Sequence, residues 1–118
     1  MPDPKAKPGE IVDIRLPEAP LGPFQVTTMV KTGDLKVIRL IVSPGQDVPT
    51  HEIQGEMLIL CLHGRVTLTA LGRSLELKAE QMLQYSTGEP FSVRGIEKAL
   101  LLIIVALPKS GESVNLVG

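Results

Sequence analysis

Tryptophan is absent from this chain of 118 residues, and one tyrosine and two phenylalanines supply all its aromatic rings. With hydrophobic residues at 43%, the core must therefore be assembled from Leu, Ile, Val and Met. Cysteine occurs once, at Cys61, which excludes an intrachain disulfide. Cys61 stands in an apolar run, where a small buried thiol is expected, and no cationic neighbour in sequence would activate it. Neither sign of charge dominates: twelve Lys and Arg stand against thirteen Asp and Glu. That balance argues against nucleic acid as a partner, because phosphate binding needs a basic excess. No hydrophobic run approaches the ~20 residues that a membrane helix requires. The N-terminal MPDPKAKPGE has no apolar signal region, so a cytoplasmic location is expected.

Length allows one ordinary domain. Residues 1–23 hold six of the ten prolines. Proline lacks an amide donor and fixes φ, so this stretch reads as an arm outside the core. Within it Val12, Ile14 and Leu16 alternate with Asp13 and Arg15, which predicts a short half-buried strand. That strand could lie on a neighbouring sheet, including a partner subunit's. Residues 24–108 then form the folded domain, and residues 109–118 a tail.

From Phe24 onward, short β-type runs are divided by turn residues. Runs at 25–30, 35–42, 56–62, 66–70, 91–93 and 99–107 are separated by Gly, Pro, Ser and Asp. This spacing predicts an all-β sandwich or barrel. The runs MLILCL and ALLLIIVAL are apolar on both faces. One face would fill a core and the other would need covering, so a homodimer is expected. Arg39, between Ile38 and Leu40, would then line such an interface. One passage is ambiguous by periodicity: Leu75, Ala79, Met82 and Leu83 also fit a helical stripe.

Two segments carry a resemblance. Residues 45–64 read GQDVPTHEIQGEMLILCLHG: a Gly, five residues, a His, a turn, then an apolar strand closed by Gly. Residues 79–93 read AEQMLQYSTGEPFSV. Together they resemble the two motifs of the cupins, specifically a small single-domain bacterial, RmlC-like cupin. The resemblance resolves the ambiguous passage as strand-turn-strand. It implies a cupin-type double-stranded β-helix, a jelly-roll barrel of two antiparallel sheets.

The resemblance also implies a metal site, and here the chain departs from the pattern. His51 stands at the first His position, but Ile53 replaces the second His and Met57 the Glu. In the second motif Glu80 stands in the opening Gly position, Ser86 in that of the Pro, and Phe91 in that of the His. A catalytic transition metal generally takes three or four imidazole, carboxylate or thiolate donors, and only His51 carries over. No metal or other cofactor is therefore expected. The expected interior pocket is His51, Ile53, Met57, Ile59, Tyr85 and Phe91, suited to a small apolar or aromatic ligand. The expectation leans away from an enzyme. Two enzymatic alternatives stand beside it. One is a metal-free isomerase or epimerase with His51 and Tyr85 as base and acid. The other is a weak metal enzyme using His51 with Glu56, if a bulge turns Glu56 inward. A dimeric structural scaffold is a third class.

Overall fold

Alternation of large aliphatic side chains, broken by Gly, Pro and Asp turns, resolves into nine strands among the described residues. The structure is a computed structural model and describes residues 6–17, 22–49, 56–70, 72–85 and 90–107. The strands are β1 (Phe24–Lys31), β2 (Leu35–Val42), β3 (Asp47–Pro49), β4 (Met57–His63) and β5 (Arg65–Ala70). They continue with β6 (Arg73–Lys78), β7 (Gln81–Gln84), β8 (Ser92–Gly95) and β9 (Ala99–Ala106). A five-stranded sheet runs β1-β2-β9-β4-β7 and a four-stranded sheet runs β3-β8-β5-β6. Every pairing is antiparallel. No helix among the described residues is long and apolar enough to cross a membrane.

Side chains alternate across each strand, so every second residue faces the space between the sheets. Leu40 and Val42 of β2, Met57, Ile59 and Cys61 of β4, and Leu101, Ile103 and Val105 of β9 fill it from one side. Val48, Val66, Leu68, Leu77 and Val93 meet them from the other, with Phe91 just before β8. Burying a side chain of this size contributes roughly 1.5–3 kcal/mol, so these residues carry most of the stability.

The passage at residues 73–84 is strand, corner, strand. β6 belongs to one sheet and β7 to the other, so the chain must turn sharply between them. Glu80 makes that turn with φ of 72°, a conformation glycine adopts without cost. This accounts for a Gly at the corresponding place in the cupin motif. Three bonds hold the corner: Ala79 N–H to the Gly64 carbonyl, Glu80 N–H to the Cys61 carbonyl, and Lys78 N–H to Gln81 Oε1. Gly64 is needed for a different reason. Its φ is 78°, and a Cβ there would collide with the Lys98 backbone carbonyl.

The other face of the five-stranded sheet is aliphatic in rows set by the register. Val37 of β2, Ile104 of β9 and Leu58 of β4 form one row. Arg39, Leu102, Leu60 and Met82 form the next, and Ile41 and Leu100 a third. The arm reaches this face. Ala6 N–H bonds the Met29 carbonyl at 2.8 Å, and the Arg39 guanidinium donates to the Arg15 carbonyl at 3.2 Å and to Gln25 Oε1 at 3.2 Å. Residues 6–17 join no ladder within this chain, so the short strand expected around Val12–Leu16 is not formed on its own sheets. Val12, Ile14 and Leu16 are half-buried and Asp13 and Arg15 exposed, as the alternation requires. Arg39, a side chain, meets the arm backbone, so the arm does not continue a strand ladder there.

Candidate functional site

The end of the sandwich where β4 begins is the expected pocket. Met57 opens β4 and is 2% exposed, and Phe91 is 5% exposed. Tyr85 N–H bonds the Met57 carbonyl at 2.8 Å, which ties the end of β7 to this level. The Tyr85 ring meets Phe91 edge-on, with centroids 5.3 Å apart and planes at 66°. Such a pairing places the positive ring edge on the negative ring face and stabilises by ~0.5–1.5 kcal/mol beyond burial. Ile59, two residues along β4, is fully buried. Met57, Ile59, Phe91 and the half-buried Tyr85 thus join one hydrocarbon core.

His51 and Ile53 lie outside the described residues. Glu56 is described and exposed, and its carbonyl accepts from Ala106 N–H. His63 closes β4 on the surface, with its carbonyl accepting from the Cys61 thiol. Burial raises the Cys61 pKa, the bond to His63 only partly opposing it. Cys61 is sealed in the core rather than set in a pocket wall.

The metal implied by the cupin motifs does not fit the described residues. Met57 brings a thioether and Phe91 no donor atom, and both are packed in hydrocarbon. Among the described residues no group of three His, Cys, Asp or Glu could hold a metal ion.

Among the described residues a cleft opens one row further along the strands, on the side where β6 and β7 run past each other unpaired. It is a cleft of about 400 Å³ lined by Leu68, Leu75, Leu77 and Leu83, with Glu76, Gln81 and Met82 at its edges. Its floor adjoins the expected pocket. Leu83 pairs with Ile59 and stands two residues before Tyr85, while Leu68 pairs with Val93, two residues after Phe91. Gln81 is held by Lys78 N–H on its Oε1 at 2.9 Å, so its amide nitrogen remains as a donor. Glu76 is also bridged by Arg65 at 3.0 Å, which reaches Glu97 at 3.3 Å. Sequence reasoning missed this cleft because Leu75 and Leu83 come together only through the pairing of β5 with β6 and of β4 with β7.

This arrangement of two antiparallel sheets is the cupin fold, as comparison with solved structures shows. An RmlC-like cupin protein from Desulfovibrio desulfuricans superposes with a TM-score of 0.70 at 21% identity, covering 82% of this chain and 97% of its own. A cupin superfamily protein from Desulfitobacterium hafniense gives 0.71 at 19%, covering 85% and 94%. The cupin domain of an XRE family transcriptional regulator from Enterobacter cloacae gives 0.67 at 13%, covering 74% and 99%. KdgF from a Halomonas and a salicylate 1,2-dioxygenase mutant also match, so neighbours of this fold have varied functions. No protein-family model matches the chain, and no curated protein does.

Proposed function

We propose that this chain is a cupin-fold binding protein that takes a small apolar ligand without a metal. The observation that carries the reading is the cleft between β6 and β7. Its 400 Å³ falls within the roughly 300–1,000 Å³ typical of ligand sites, and four leucines line it beside Glu76, Gln81 and Met82. A lining of four leucines and a methionine, with the Gln81 amide beside them, suits a mostly apolar molecule bearing a hydrogen-bond acceptor. The Tyr85–Phe91 pair is close in register, two residues beyond Leu83 and two before Val93, the strand partner of Leu68.

The test uses 1-naphthol and 1-decanol as probes, followed by methyl NMR of leucine-labelled protein. Shifts are expected at Leu68, Leu75, Leu77 and Leu83, unchanged by added chelator. Leu75→Arg places a charge at a rim position that is 39% exposed, so the fold should survive it. It should weaken binding at least about tenfold, the effect of ~1.4 kcal/mol. No leucine shifts at 1 mM probe (roughly a −4 kcal/mol limit) would refute the proposal. Equal binding by Leu75→Arg would refute the placement in the cleft.

A further inference from the structure

We propose that the free edge of β6 takes up an extended peptide as an added strand, with two of its apolar side chains in the leucine cleft. This rests on the reading of the cleft as an apolar binding site and names the class of molecule that fills it. β6 ends the four-stranded sheet, so one of its edges has no strand beside it among the described residues. Hydrogen bonding fixes which groups that edge presents. Ala79 N–H bonds the Gly64 carbonyl, one step past the pairing of Arg65 with Lys78, so Gly64 and Ala79 are a hydrogen-bonded pair. Such pairs alternate along the ladder. Leu77 and Leu75 therefore exchange bonds with Val66 and Leu68, while Ser74, Glu76 and Lys78 turn their backbone groups outward. The bond from Lys78 N–H to Gln81 Oε1 obeys this pattern. The N–H and C=O of Glu76 and of Ser74 remain, two donor–acceptor pairs ~7 Å apart along the strand.

An extended chain is the ligand whose backbone matches two such pairs. Laid antiparallel, the slightly more stable sense, it exchanges two bonds with Glu76 and two with Ser74. Its side chains alternate between the faces. Those opposite Leu77 and Leu75 point as these leucines do, toward a cleft that Leu68 and Leu83 also line. Both must be apolar. A small apolar molecule fills the same walls but leaves the four backbone groups to water.

Charge selects the next residue. Glu76 is committed to Arg65. Lys78 lies beside Glu80 in the corner, and their charges offset. Arg73 shares the inward parity of Leu75 and Leu77, is exposed, and forms no ion pair among the described residues. An acidic side chain belongs opposite it. The partner segment therefore reads, from N to C, apolar, any, apolar, any, acidic. Charges on edge strands keep stray strands away, and at Arg73 the charge rejects a basic segment while accepting an acidic one.

The probe is the heptapeptide TLTLTET, acetylated and amidated at its ends, titrated to about 1 mM into nitrogen-15-labelled protein. Saturable amide shifts are expected at Ser74 and Glu76. The same peptide N-methylated at its third residue keeps every side chain but loses the N–H that meets the Glu76 carbonyl. It should bind at least about tenfold more weakly. Arg73→Glu should weaken TLTLTET about threefold, the effect of an exposed ion pair, and should prefer TLTLTKT. Equal binding by the N-methylated peptide would overturn the added strand, and an Arg73→Glu protein that does not distinguish the two peptides would overturn the acidic position. If 1-decanol moves the leucine methyls while the peptide moves neither amide, the strand is overturned and the apolar cleft stands. If neither probe moves anything, both fall.

Discussion

Restoring a carboxylate where the cupin motif has one gives a sharp test of the reading of the interior. In Met57→Glu the new side chain would replace one that is 2% exposed and packed with Ile59 and Val105. A carboxyl group taken into hydrocarbon keeps its proton, so its folded pKa rises above the unfolded value of ~4.3, in documented cases to ~8–9. Below pH ~4.3 both states are protonated and ionisation adds no penalty. Above it the unfolded chain releases the proton and the folded chain holds it. Stability then falls by about 1.4 kcal/mol per pH unit until the folded pKa is reached. Between pH 4.3 and 7 that amounts to ~3.7 kcal/mol, a large share of the ~5–15 kcal/mol that holds an ordinary domain together. Urea unfolding of the variant and wild type, at pH 5 and pH 7, reads it directly. With an m-value of ~1–2 kcal/mol/M, the gap between the two midpoints should widen by about 1.5–2.5 M from pH 5 to pH 7. A gap independent of pH would mean that position 57 is solvated or that a cation already waits beside it. Either would refute the description of this end of the sandwich as hydrocarbon.

Two further outcomes are expected. Gly64→Ala should cost about 3 kcal/mol or more, because it adds a left-handed alanine and a collision with the Lys98 carbonyl. Gly72→Ala, at φ of 73° with nothing within 4 Å, should cost only about 1 kcal/mol, and a thermal melt of the pair isolates the collision. Cys61 should react with a thiol reagent only through unfolding, since burial both blocks the sulfur and raises its pKa. Labelling in native buffer as fast as in urea would contradict that placement.

Much of the fold can be read from the residues, and the reason is local. β2 spans Leu35–Val42, matching its apolar run between Asp34 and Ser43. β4 and β9 are doubly apolar because one face meets the core and the other the aliphatic rows. β3 left no signal: Asp47–Pro49 is three residues long and owes its place to pairing with β8. The arm showed its alternation but not its destination, because the bond from Arg39 to Arg15 spans 24 positions. The site divides the same way. Met57 and Phe91 could be named from motif positions, whereas the cleft depends on two sheets passing without pairing, a fact no single strand contains.

The order of strands has a consequence for how the molecule is made. β9 is the last strand described, yet it sits in the middle of its sheet, between β2 and β4. Until residues 99–106 leave the ribosome, β1–β2 and β4–β7 are separate ribbons with no shared ladder. A nascent chain of this kind holds its greasy surfaces open until β9 emerges, then zips shut over long sequence separations. A chain released before Ala99 should therefore be prone to clump, and one that includes residues 99–106 should fold.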